Sequence, residues 1–323
     1  MRRRDFIART VATALLTALS PTYAEAGERI WRLGVLTPVD DSLVRSVILP
    51  YLAKRGFVEG RNLAVDIRIG TAEQMPELAQ ALVDDKPDAI IAASDWALHA
   101  ARAATTTIPI VTAPMGADPV LAGVAESWAH PGGNVTGVSL IAPELEIKRL
   151  SLLHEIAPLV HRIAVLSNHR KVVEAGLLPL RKAAAEVGLE LVEIWIESPN
   201  EYETAFAVMR GSGAEALVIV PTPELYRDTD QLGALAVKTR LPTIGGFRES
   251  AQGGLLIGYG PSLRELGRQA AGYVERIFNG AQAGELPFQG PTRFDFAINM
   301  RTAKALDLTI PPSLQVAADE VIE

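Results

Sequence analysis

The 323-residue chain contains no cysteine. That absence removes disulfides, thiolate metal sites, iron–sulfur clusters and cysteine nucleophiles together. Positive charge is also in short supply, with 31 Lys and Arg against 38 Asp and Glu and a net charge of −7. A non-specific nucleic-acid binder needs a phosphate-neutralising basic surface, so no nucleic-acid partner is expected. Beyond the N-terminal segment no apolar run reaches the ~18 residues that span a bilayer, and no membrane insertion is expected. The common catalytic signatures are missing too. Gly137-Val138-Ser139 lacks the second glycine of G-x-S-x-G, Gly258-Tyr259-Gly260 runs into Pro261 instead of completing G-x-G-x-x-G, and no G-x-x-x-x-G-K-[ST] occurs. The five histidines, at 99, 130, 154, 161 and 169, share no ligand spacing. Catalytic residues, metal and cofactor are therefore all expected to be none.

What is present is a globular composition, 48% apolar and 21% charged, in a chain long enough that two domains are the default. The N-terminus reads as an export signal. Arg2, Arg3 and Arg4 precede the small and apolar stretch Val11 to Leu19, and Ala24-Glu25-Ala26 offers a small-x-small cleavage site. Residues 1–26 are thus expected to be a signal peptide and the protein periplasmic. Arg3-Arg4-Asp5-Phe6-Ile7 resembles a twin-arginine signal, while an ordinary Sec n-region reads equally well, so the route stays open. With no cysteine after the apolar stretch, a lipoprotein anchor is excluded.

Short apolar runs then alternate with helical patterns. Strands are predicted at 33–36, 63–69, 89–93 and 108–112, with helices over 42–55, 73–85 and 95–105 between them. A second series has strands at 163–166, 191–197, 216–220 and 242–247 and helices over 172–187, 200–210 and 225–239. Continuous apolar strands separated by helices indicate a parallel sheet covered on both faces. The similar spacing of the two series predicts two doubly wound α/β lobes. Pro131-Gly132-Gly133-Asn134 is turn chemistry before a further strand at 135–140 and a helix over 143–157. A strand at 255–259 precedes the strongly amphipathic stretch 262–279, closed by Gly280, and a strand at 294–299 and a short helix at 302–306 follow. The expected division is lobe 1 at 27–140 plus 261–290 and lobe 2 at 141–260 plus 291–323, joined by several crossings that suit hinge closure.

In such folds a ligand sits beyond the carboxyl ends of the strands. The residues there are Thr37, Ser94, Asp95, Thr112, Pro114, Asp118 and Ser139 in the first series, and Asn168, Thr222, Gly246, Phe247, Arg248 and Tyr259 in the second. Ser94 and Asp95 open a helix, where a hydroxyl and free backbone N–H groups can hold a carboxylate; an N-cap is the equal alternative. Phe247 would stack on a flat ligand and Arg248 would pair with a charged group, against the plainer reading of a core ring beside a surface ion pair.

The segment Gly116 to Gly123, with its D-P-x-x-A-G, and Pro131-Gly132-Gly133-Asn134-Val135-Thr136-Gly137-Val138-Ser139 resemble a widespread bacterial family of ABC transporter substrate-binding proteins. So do Gly253-Gly254-Leu255 through Gly260 and Asn299-Met300-Arg301-Thr302-Ala303. The family includes tryptophan- and tyrosine-type uptake proteins. The resemblance implies a type I periplasmic binding-protein fold, a small ligand trapped between two lobes, and an ABC permease and ATPase as partners. It matches Ser94, Asp118, Thr222 and Tyr259 to family positions. It departs at Asn168-His169-Arg170-Lys171, where the family commonly has an N-P-rich loop and this chain keeps Asn168 but follows it with basic residues, and at the loop Thr37 to Asp41.

The function expected is a monomeric binding protein closing on an amino acid or an aromatic or carboxylated metabolite, without chemistry. A periplasmic sensing subunit for a signalling receptor is the alternative, and an α/β enzyme a more distant one.

Overall fold

The computed structural model describes residues 29–140, 144–168, 170 and 174–323. The expected signal peptide, the start of the helix expected from 172, and Pro143, His169 and Lys171 lie outside them.

Five strands, β1 (Trp31–Thr37), β2 (Leu63–Ile69), β3 (Ala89–Ala92), β4 (Ile110–Met115) and β5 (Val135–Ser139), form an all-parallel sheet in the order β2-β1-β3-β4-β5. Every residue of β3 is buried, as a strand with helices on both faces requires. The connecting helices are α1 (Leu49–Lys54), which a π-helical turn at Val44–Ile48 leads into, α2 (Met75–Asp84) and α3 (Asp95–Ala104). Leu82, Leu98 and their neighbours on α2 and α3 cover one face of the sheet, while Leu49 and Leu52 of α1 cover the other.

After α4 (Glu144–Ile156) the second sheet begins. Its strands are β6 (Arg162–Asn168), β7 (Glu190–Ile196), β8 (Ala216–Ile219), β9 (Thr243–Gly245), β10 (Ile257–Pro261), β11 (Phe294–Asn299) and β12 (Glu320–Ile322), in the order β12-β11-β10-β9-β8-β6-β7. The helices of this part are α5 (Leu178–Glu186), α6 (Tyr202–Gly211), α7 (Pro223–Arg227), α8 (Thr229–Thr239) and α9 (Arg248–Gln252); α10 (Leu263–Phe278), α11 (Met300–Ala305) and α12 (Pro312–Ala317) come later. Helices α4, α5, α11 and α12 pack on one face of the sheet, and α6 and α8 on the other.

Helix α10 shows why the lobes are interwoven. It follows β10 in the chain, yet Leu266, Tyr273, Val274, Ile277 and Phe278 are buried with Leu33, Val35 and Val111 of the first sheet. Phe278 stacks on Trp31 with ring centroids 4.6 Å apart. At about 1.5–3 kcal/mol for each large apolar side chain buried, this seam makes α10 an integral layer of the first lobe. The chain then returns to the second sheet as β11, at the end from which β10 left. β11 must therefore run antiparallel to β10, the exception to the parallel sheets read from the sequence. The chain passes between the lobes three times: between Ser139 and Glu144, between Pro261 and Leu263, and ahead of Phe294.

Other differences are local. The helix expected over 225–239 is two helices meeting at Asp228, and the strand expected over 242–247 stops at Gly245 before α9. The tail after Pro311 forms α12 and β12, which pairs parallel to β11. Two glycines mark close approaches. Gly137 has φ +130°, and a Cβ there would lie 2.5 Å from Thr112 N; at Gly260 a Cβ would collide with the carbonyl oxygen of Gly246.

Candidate functional site

The carboxyl ends of the two sheets face each other across a cleft of about 710 Å³. One wall carries Pro38, Val39 and Asp40 after β1 and Ile69 to Gln74 after β2. The other carries Tyr226, Arg227, Thr229 and Asp230 on α7 and α8, and Glu249 on α9. None of the thirteen residues expected from the sequence lines this mouth. Its lining is supplied by residues a few positions further along the same loops.

In the first lobe the expected residues are mostly engaged within the fold. Thr37 is buried, and its Oγ1 accepts from Val39 N at 3.3 Å, turning the chain into the cleft wall. Ser94 caps α3 by accepting from Ala97 N at 3.1 Å. The Asp95 carboxylate accepts from Gly116 N at 3.0 Å and weakly from Ala117 N, tying α3 to the loop after β4. Burial pushes its carboxyl above the ordinary range, against those N–H groups and His99. Thr112 is sealed in the sheet, where its Oγ1 donates to Val138 O at 2.8 Å and accepts from Val138 N at 2.9 Å. Pro114 is half-buried in β4, and Ser139 donates to Ala117 O at 3.2 Å. Asp118 accepts from Val120 N, Leu121 N and Trp128 Nε1 at 2.8, 2.9 and 3.1 Å. Burial works to raise its pKa, but those three donors outweigh it and hold the carboxyl below the ordinary range.

The second lobe differs. Asn168, at the end of β6, is 5% exposed and donates through Nδ2 to Glu224 Oε2 at 3.2 Å, while its Oδ1 has no hydrogen-bond partner among the described residues. Thr222, 6% exposed in the loop after β8, has an unpartnered Oγ1. Phe247 is buried with its ring edge-on to Tyr226 at 5.5 Å. The pair lines a small apolar void beside Pro221 and Gly246. Arg248 lies 3.5 Å from Glu249 and 3.9 Å from Glu320, so a ligand anion would compete with two carboxylates for it. Tyr259 packs edge-on to Phe296.

Two residues that the sequence reading passed over organise this end. Tyr226 stands on the cleft wall, and burial, with the charges of Glu249 and of Asp40 from the opposite lobe, pushes its phenol up to about 12. Arg149 is 4% exposed and donates to Glu146 at 2.6 Å, to Tyr259 O at 3.0 Å and to Gly246 O at 3.1 Å. Its signal was legible, because Leu145, Arg149, Leu152, Leu153 and Ile156 fall on one helical face and an arginine in that stripe must find buried acceptors. Among the described residues no group of His, Asp or Glu is arranged to hold a metal ion, and no helix is long and apolar enough to cross a membrane.

Two doubly wound lobes, three crossings and a cleft at the strand ends define the type I periplasmic binding-protein class. The model of the ABC transporter substrate binding protein family matches residues 38–322, and the chain belongs to that family, which binds small solutes. The chain is 30% identical over 263 residues to a tyrosine-binding protein of Clostridioides difficile (strain R20291), covering 80% of this chain and 74% of the relative. It superposes with a TM-score of 0.83 and 22% identity on a Streptococcus pneumonia ABC domain in complex with L-Trp, covering 91% of this chain and 100% of the other. A ligand-free, open substrate-binding protein with adhesive properties from Clostridium difficile gives 0.67 at 25% identity, over 91% of this chain and 99% of that one.

Proposed function

We propose that this chain is the periplasmic receptor of an ABC importer that closes its two lobes over an amino acid or an aromatic or carboxylated metabolite, without transforming it. The observation that carries the reading is the cleft itself, walled by strand-end loops of both lobes and hinged on three crossings. Asp40 of one lobe and Tyr226 of the other both line the cleft, and the Asp40 charge contributes to holding the Tyr226 phenol above its ordinary range. Closure requires only a ligand with greater affinity for the closed than for the open state. The tyrosine-binding relative favours an aromatic amino acid within the proposed class.

The reading includes export by the N-terminal segment, a monomeric state, and delivery to a permease driven by an ATPase. It takes residues 27–140 plus 261–290 as one lobe and 141–260 plus 291–323 as the other. The packing of α10 on the first sheet and the place of β11 in the second support that division. Mass spectrometry of the solute released from gently purified protein, followed by calorimetric titration with the identified compound, tests the reading. A stoichiometric small molecule that binds without turnover is the expected result; turnover, or no binding by any amino acid or aromatic acid at millimolar concentration, counts against it.

A further inference from the structure

Two of the passages between the sheets are bonded to each other. β10 runs into the second passage and β11 leaves the third, and the strands pair from Ile257 with Ile298 to Pro261 with Phe294. Beyond the last pair, Ser262 N donates to Arg293 O at 2.9 Å. The ladder therefore reaches the point at which the chain departs for α10 and returns from it. Rotation of one sheet against the other is taken up at such strand ends. Arg149 bonds to the same ladder. It stands on α4, whose Leu150, Leu152, Leu153 and Ile156 are buried with Ile163 and Val165 of the second sheet. Its Nε donates to Tyr259 O at 3.0 Å, two residues before Pro261, and its Nη2 to Gly246 O at 3.1 Å, just past β9. Its Nη1 pairs with Glu146 at 2.6 Å. A planar fork aims each donor at a separate acceptor, so α4 and the ends of β9 and β10 are fixed relative to one another. Gly246 is also where the cleft wall begins. Phe247 follows, its ring edge-on to Tyr226 at 5.5 Å, and then α9 with Glu249; Tyr226 and Glu249 both line the cleft. The joint has no slack, because a Cβ on Gly260 would collide with Gly246 O and lie 3.1 Å from Arg149 Nη2.

We propose that Arg149 is the positioning residue of closure: it makes the end of the β10–β11 ladder and the cleft wall at Phe247 and Tyr226 move as one body, so that a solute resting on that wall turns the hinge. The proposal rests on the solute-binding reading above and adds how binding is coupled to closure. Arg149 is buried and is not among the residues that line the cleft; it acts through the carbonyl groups of Gly246 and Tyr259. Without the fork, the wall and the ladder keep their own folds but shift independently, and binding energy gained at the wall no longer selects one hinge angle.

The chain has no cysteine, so two introduced ones carry spin labels without background. Glu77 on α2 and Thr204 on α6 are exposed and stand on helices that cover different sheets, so Glu77→Cys with Thr204→Cys reports the distance between the lobes. Double electron–electron resonance gives that distance distribution, first without solute and then with L-tyrosine or L-tryptophan as the probe. In Arg149→Met the distribution without solute should be about twice as wide as in the unmodified protein, and calorimetric affinity for a probe about tenfold lower. A role in stability alone lowers the unfolding midpoint but leaves the distance distribution of the folded molecules unchanged. Arg149→Lys, which keeps the charge beside Glu146 but cannot serve separate acceptors, should lie between the two. It keeps the test decisive where Arg149→Met folds poorly. Distributions equal to that of the unmodified protein in both variants overturn the proposal. Full recovery in Arg149→Lys overturns it too, by assigning the effect to the charge beside Glu146. If neither probe shifts the distribution of the unmodified protein, the aromatic amino-acid assignment fails, and the comparison without solute still decides the role of Arg149.

Discussion

Arg149 Nε donates to the carbonyl oxygen of Tyr259 at 3.0 Å across 110 residues of chain, and the same guanidinium reaches Gly246 O at 3.1 Å. One buried side chain on α4 thus joins the helix after the first crossing to the last residues of β10, which lead into the second. It also holds the backbone immediately before Phe247.

Arg149→Ala leaves two strand-end carbonyls and Glu146 without their donor. The loss expected is about 3 kcal/mol of stability, the scale of breaking a buried charged network. Arg149→Lys should recover only part of it, because an ammonium cannot reproduce the planar fork that serves separate acceptors. Urea unfolding midpoints of the three proteins check this; equal midpoints would contradict it.

Gly260→Ala places a methyl group against the carbonyl oxygen of Gly246 and close to the Arg149 guanidinium. The strands β9 and β10 must separate to admit it. A loss of more than about 2 kcal/mol is expected. Gly133→Ala, where a Cβ would meet nothing within 4 Å, should leave stability within about 0.5 kcal/mol, and thermal denaturation compares the two.

Asp118 supplies an acid-side dependence. Its folded pKa is depressed, so the folded state binds its proton less readily than the unfolded state does. The stability it contributes is complete above the unfolded carboxyl pKa and is lost as pH falls through the folded value. Asp118→Asn should therefore flatten the fall in stability below about pH 4. Denaturant midpoints from pH 6 down to pH 2 measure it, and parallel curves for the two proteins would exclude the contribution.

The tyrosines act at the alkaline end. Burial pushes Tyr226 and Tyr273 up to about 12, and raises Tyr202 as well, with Asp228 contributing there. The unfolded state then loses these protons first, so stability falls as pH rises from about 10 towards 12. Ultraviolet titration of phenolate should show these three still protonated at pH 11. Asp40→Asn should lower the Tyr226 value while leaving Tyr273 unmoved, because only Tyr226 faces Asp40 across the cleft; no change would mean that the lobes stand apart in solution.

Much of the architecture was legible in particular runs. The strand Ala89 to Ala92 is apolar on both faces because helices cover both sides of the sheet, and that pattern alone announces a buried parallel strand. Helix α10 was equally plain from its apolar stripe. The 248–252 helix and the 320–322 strand were not. Each is only a few residues long; the helix is held by contacts with β10 and β11 and the strand by pairing with β11, rather than by any local periodicity.

The candidate site was legible in location more than in role. Strand ends are where ligands bind in this architecture, yet Thr112, Asp95 and Asp118 turn their polar atoms to backbone groups of their own lobe. Asn168 and Thr222 look no different from them in sequence. Whether a polar atom finds an internal partner depends on neighbours that the topology brings together, such as Glu224 for Asn168.

The sequence by itself determined two covered parallel sheets, the amphipathic α10, the absence of thiol chemistry and the family. These follow from hydrophobic period, composition and local turn chemistry. Only the tertiary structure decided that α10 packs on Leu33, Val35 and Val111 of the first sheet, that β11 turns antiparallel, that Arg149 joins the crossings, and which polar atoms remain unpaired. Those outcomes depend on close packing and hydrogen-bond satisfaction between residues far apart in the chain, which no local pattern encodes.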